Sequence, residues 1–190
     1  MSDDLHEALI NEIKAAFAGV TLGEGMSLIE AAYVDSRGKS VRGKPVSKQE
    51  LQKLKRLENV DDWISLTIEE LDQDNIAHLD AAGFRYYLPA LMLAVISDYD
   101  PGSMRVIGTL HGLYPRSIAP YDWSELLGKY SLLNNEQKAA TAGFLVTLPH
   151  LVELSHEDEK IVERAFNRYW SAFLPENKPE TRVRQHQPPP

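Results

Sequence analysis

Apolar positions recur every three or four residues along most of this chain, the repeat of helices that each bury one face. Leu5, Leu9, Ile13 and Phe17 form the first stripe; Asp3 and Asp4 are placed to cap it and Gly19 to end it. Ser27 with Glu30, Ser47 with Glu50 and Thr67 with Glu70 repeat the spacing of a capping box, so a helix should open after each. The first of these is expected over residues 28 to 35. After the Ser47 box, Leu51, Leu54 and Leu57 line one side and Lys53, Lys55 and Arg56 the other.

Gly83 stands where a helix ending near Ala82 would place its C-terminal glycine. Leu88 precedes Pro89, which predicts an extended Leu88 and a new helix beginning at Pro89. That helix, through Ile96, is apolar on every side and should be the central buried one. Asp98 to Gly102 reads as a turn, and 103–120 is broken by Gly108, Gly112, Pro115 and Pro120. Asp122 with Glu125 opens a short helix, and Asn134 or Asn135 caps another through Leu145. Ser155 with Asp158 opens the last, with acids early and Arg164 and Arg168 late, as the helix dipole favours. No strand-like alternation of useful length and no internal repeat is visible. The pattern predicts an all-α fold, one domain of seven or eight short helices over 1–174. A mobile basic loop at 36–47 and a disordered proline-rich tail at 175–190 complete it.

Composition narrows the class. The 190 residues are 43% hydrophobic and 25% charged, with no cysteine, which removes disulfide frameworks, thiolate metal sites and cysteine nucleophiles. The N-terminal Met1-Ser2-Asp3-Asp4 is acidic where a secretory signal carries positive charge. The longest apolar run is too short for a bilayer core of ~30 Å. The expectation is a cytoplasmic protein.

The formal net charge of −8 disfavours nonspecific nucleic-acid binding. It is unevenly spread. Residues 37–56 hold eight Lys or Arg against one acid, a local +7, and 58–80 hold eight acids and no base. Such runs are usually solvated faces. The sharper reading, a polyanion contact at Lys39, Arg42, Lys44 and Lys48, is opposed by the acids that follow.

Two segments carry more charge and glycine than packing alone requires: Gly23 to Asp35, and Leu79-Asp80-Ala81-Ala82-Gly83-Phe84-Arg85-Tyr86-Tyr87-Leu88-Pro89-Ala90. Gly23-Glu24-Gly25 before a helix resembles a phosphate loop only weakly, since no strand precedes it and no P-loop lysine is present. Glu24, Glu30 and Asp35 could form a carboxylate cluster, but Glu30 and Asp35 are five apart and Glu30 already serves a cap. His78 and Asp80 are the tightest His/acid pair, without the further ligands zinc needs. No metal, no cofactor and no catalytic residue is therefore expected. Arg85 among aromatic residues should be partly buried and paired with Asp80, Glu30 or Asp35. The alternative is a pocket in which Arg85, Tyr86 and Tyr87 hold an anionic ligand or the carboxylate of a partner.

Those two segments, with Asp62-Trp63, Asn135 to Ala140, Phe144-Leu145 and Tyr169-Trp170, resemble a family of small bacterial proteins known only as a domain of unknown function. Its relatives look like G-x-G-x-S-L-x-E-A-x-x-x-D, then L-D-x-x-G-F-R-x-Y-L-P-A, then E-Q-x-x-A-x-x-x-F-L and a closing Y-W. The resemblance covers roughly residues 10 to 172. It departs at the basic insertion near 37–48 and at the tail. It implies a small cytosolic helical domain and transfers no activity.

The function expected from these features is non-enzymatic protein binding, of an immunity or adaptor kind, with a basic partner matched to the acidic block. The alternatives are a ligand site or enzyme at Glu24, Glu30, Asp35, Asp80, Arg85, Tyr86 and Tyr87, and nucleic-acid contact through 37–56.

Overall fold

The computed structural model describes residues 2–36, 47, 49, 53–54, 62–72, 74–115 and 128–174, without the side chains at 2, 3, 35, 36, 74 and 75. The first apolar stripe forms α1 (Ser2–Ala16), which buries Leu9 and Ile13, with Phe17 just beyond it. Leu5, expected on the same stripe, is 41% exposed. The Ser27 box opens α2 (Leu28–Ser36) as its spacing predicts: Ser27 Oγ accepts from Glu30 N–H at 3.2 Å and Glu30 Oε2 from Ser27 N–H at 2.8 Å. A 3-10 turn, Trp63–Ser65, precedes α3 (Ile68–Leu71), whose Thr67 and Glu70 complete a capping box in both directions. A second 3-10 turn, Asp74–His78, leads to α4 (Ala81–Ser97).

Here the structure corrects two expectations. Asp80 is the N-cap of α4 and accepts from Gly83 N–H, so Gly83 lies in the first turn of a helix instead of ending one. Leu88 is helical, and Pro89 lies inside α4. Proline disfavours helical backbone in the residue before it and leaves the Arg85 carbonyl without its usual donor. Tertiary burial overrides that bias, since Tyr87, Leu88, Leu91 and Met92 are all fully buried around it.

The segment broken by glycines forms α5 (Met104–Leu113), capped by Ser103, whose Oγ accepts from Val106 N–H at 3.3 Å. Val106, Leu110 and Leu113 face the core. Next come α6 (Asn135–Leu151), capped by Asn134 with Gln137, and α7 (His156–Arg168), capped by Ser155. A last 3-10 turn, Trp170–Phe173, follows. The described residues contain no strand, and the fold is all-α. The basic run 37–46 with Lys48, the Glu50 box, the Asp122 helix and the 175–190 tail lie outside the described residues.

Around the buried α4, α1 packs on α6, α7 on both α5 and α6, and α2 on the Asp74–His78 turn. Two indoles tie distant pieces together. Trp63 Nε1–H donates to the Phe17 carbonyl at 3.1 Å and Trp170 Nε1–H to the Leu113 carbonyl at 2.8 Å. Trp170 also joins a ring cluster with Tyr130, Tyr169 and Phe173.

Candidate functional site

The two charged, glycine-rich segments meet. Asp80 Oδ1 accepts from Gly83 N–H at 2.7 Å and from Met26 N–H at 3.1 Å, so one carboxylate oxygen both caps α4 and holds the turn before α2. The Tyr87 hydroxyl accepts from Leu28 N–H at 3.4 Å. The approach is close enough to need glycine on both sides. A Cβ on Gly83 would stand 2.3 Å from the Met26 carbonyl oxygen, and one on Gly25 would stand 2.7 Å from Gly83 N.

The remaining predicted residues divide. Glu30 is buried in its own capping box, while Glu24 is exposed in the turn at Gly23, whose φ is +53°. Asp35 lies in α2 with its side chain outside the described residues. Tyr86 and Tyr87 are fully buried edge to face, centroids 4.8 Å apart. Arg85 does not pair with Asp80 or Glu30. Its Nε–H donates to Gln137 Oε1 at 3.2 Å, reaching α6. The physical reason is competition: Asp80 and Glu30 already serve backbone N–H groups, and Arg85, five residues beyond Asp80 and so turned off its face, reaches a different neighbour.

A second arrangement was not anticipated. A cleft of about 600 Å³ opens between α5 and α7. Ile107 and His111 line it from α5, four residues apart on one helical face, and Tyr114, the extended residue that caps the end of α5, continues the lining. Lys160, Ile161, Arg164 and Arg168 line it from α7, the cations four residues apart. Arg168 lies over the Tyr114 ring at 5.3 Å. Buried Asp158, also in the lining, is occupied: its Oδ2 accepts from the Tyr99 hydroxyl at 2.6 Å and from Ser155 Oγ at 2.8 Å. Burial first, and then this carboxylate, raise the Tyr99 phenol above its ordinary value. Glu157 forms an ion pair with Lys160 at 3.7 Å. Arg164 is exposed and has no hydrogen bond or ion pair among the described residues.

Charge is also sealed inside. Arg105, 4% exposed, is held by the Asp98 carboxylate and carbonyl and stands 3.7 Å from Asp72, whose other oxygen accepts from Arg105 N–H. Among the described residues no group of three or more His, Asp or Glu is placed to hold a metal ion, and no helix is long and apolar enough to cross a membrane.

The model of a family of unknown function, DUF6714, matches residues 5–174. The chain belongs to that family. No curated protein and no solved structure matches it. In this DUF6714 chain the α5/α7 cleft did carry a sequence signal, the Lys160, Arg164, Arg168 repeat. Dipole compensation at the end of α7 accounts for the two arginines equally well, so the repeat alone did not separate the two roles.

Proposed function

We propose that this DUF6714 domain is a non-enzymatic protein-binding module, of an adaptor or immunity kind, that works through its surface. The observation that carries this reading is the double use of Asp80 Oδ1, which binds Met26 N–H and Gly83 N–H together. Together with the paired glycines, it makes the two motif segments a clasp between α2 and α4. Their composition is then explained by folding, and recognition falls to exposed groups such as those of the α5/α7 cleft.

The test is capture by the tagged full chain, expressed at native level in its source cell. A protein partner recovered in stoichiometric amount, and equally by Arg85→Gln, is the expected result. Recovery of none counts against the reading.

One observation favours a second reading, a small anionic ligand at Arg85. That side chain is half-buried, and only its Nε is engaged by a described residue. A guanidinium with both terminal nitrogens available can grip a carboxylate or phosphate bidentately. A thermal-shift screen of small anions decides between the readings. A shift abolished by Arg85→Gln in a variant that still folds would replace the protein-binding reading with this one.

A further inference from the structure

The inference drawn here rests on the binding-module reading and names its partner. Residues 62–80 look like the docking surface on charge alone, yet most of their described acids are already engaged. Asp62 caps the Trp63–Ser65 turn, Glu70 accepts from Thr67 N–H, Asp72 faces Arg105 and Asp80 forms the clasp. The α5/α7 cleft has the opposite character. On a chain of net charge −8 it gathers Lys160, Arg164 and Arg168 along one wall. Its two acids are both occupied, Asp158 by Tyr99 and Ser155, and Glu157 by Lys160. The same lining includes the apolar side chains of Ile107 and Ile161 and the Tyr114 ring.

We propose that the α5/α7 cleft docks an acidic amphipathic segment of a protein partner, with carboxylates on Arg164 and Arg168 and an apolar side chain on Ile107 and Ile161. Spacing and charge both support this occupant. Arg164 and Arg168 are one helical turn apart, about 6 Å along the axis, and acids four apart on a partner helix match that step. Arg168 is already steered by the Tyr114 ring, and Arg164 has no described partner to lose. Arginine's fork suits carboxylates, and an apolar face laid into a groove between helices supplies the area that two rim charges lack. The net negative charge of the whole molecule would slow such a partner's approach, so the local basic wall must supply the selectivity.

The probe is a fluorescein-labelled helical peptide with glutamates four residues apart flanking leucines, titrated with the full chain by fluorescence anisotropy at low and high salt. Binding should weaken with salt, fall at least about tenfold in Arg164→Glu/Arg168→Glu, and fall similarly when the peptide's glutamates become glutamine. Lys14→Glu, in the last turn of α1, should leave it unchanged. Circular dichroism shows that the double variant is folded; both arginines are exposed, so it is expected to be. Binding indifferent to the charge reversal would overturn the inference. So would competition by inorganic phosphate at concentrations comparable to the peptide's glutamates, which would make this a small-anion site. A self-associating chain dispersed by the double variant would do the same, with a second copy as the occupant.

The same variant separates the two levels of the argument. A cellular partner that is still captured by Arg164→Glu/Arg168→Glu defeats the cleft and leaves the binding-module reading standing. If neither protein captures one, both fall.

Discussion

Gly83 is fixed by a contact that comes from far along the chain. Glycine in a helix interior costs about 1 kcal/mol relative to alanine, so Gly83→Ala ought to help α4. The added methyl, however, would stand 2.3 Å from the Met26 carbonyl oxygen, a backbone atom that cannot swing aside. The clash outweighs the propensity, and Gly83→Ala should destabilise by about 2–4 kcal/mol in urea unfolding. Gly25→Ala, 2.7 Å from Gly83 N, should cost a similar amount. Gly128→Ala meets nothing within 4 Å and should be neutral within about 0.5 kcal/mol. Equal effects at Gly83 and Gly128 would remove the close approach from the account.

Lys129 offers a second residue-level test. Its ammonium donates to the Ile76 and Ala77 carbonyls at 3.2 and 3.1 Å and lies 5.2 Å from the Phe84 ring centre. Burial lowers its pKa from 10.5 to about 8. The folded protein thus binds this proton less tightly than the unfolded chain, and stability must rise with pH between about 8 and 10.5. The whole effect is at most about 3 kcal/mol. It is read as wild type minus Lys129→Met at about pH 7.5 and about pH 9.5. The subtraction removes the opposing contribution of Tyr99, Tyr130 and Tyr169, whose raised phenol pKa values cost stability as pH climbs past 10. A flat difference would show that Lys129 is as solvated folded as unfolded.

Elements were most legible where their signals are local. The Ser27, Thr67 and Ser155 caps each fall within four residues of the helix they open, and each forms. The start of α4 was misread because Gly83 and Pro89 both carry strong local meanings, one as a helix end and one as a helix start. Neither meaning accounts for Met26 lying against the first turn or for the apolar neighbours that enclose Pro89. Asp80 shows the consequence at this scale, for it serves two elements with one oxygen. Asp80→Ala should remove both a cap worth about 1 kcal/mol and the partner of Met26 N–H, about 2 kcal/mol together. Asp80→Asn keeps an acceptor oxygen and ranks with aspartate as a cap, so it should cost less than about 1 kcal/mol. Chemical denaturation of the two variants checks the order. If asparagine cost as much as alanine, the negative charge rather than the shared oxygen would be the stabilising feature.

For the molecule as a whole, the all-α class was legible because helical periodicity needs no partner to be seen. The α5/α7 cleft was not, since a groove belongs to two helices and α5 lay hidden among glycines and prolines. The same dependence on long-range contacts bears on whether the chain unfolds as one unit. Trp63 is tied to the end of α1 through the Phe17 carbonyl, and Trp170 to the end of α5 through the Leu113 carbonyl. The two indoles report on different parts of the fold, but each lies in the same continuous set of buried side chains that includes α4. Cooperative unfolding requires that neither region gain much by melting alone, which a shared core enforces. Two single-tryptophan proteins isolate the reporters: Trp123→Phe with Trp170→Phe, and Trp123→Phe with Trp63→Phe. Each should give a fluorescence transition that coincides with its own far-ultraviolet circular dichroism, whatever stability the substitutions remove. A Trp63 transition completed before the helical signal falls would divide the fold into two units. The clasp at Asp80 would then be the joint between them, and Gly83→Ala should separate the transitions further.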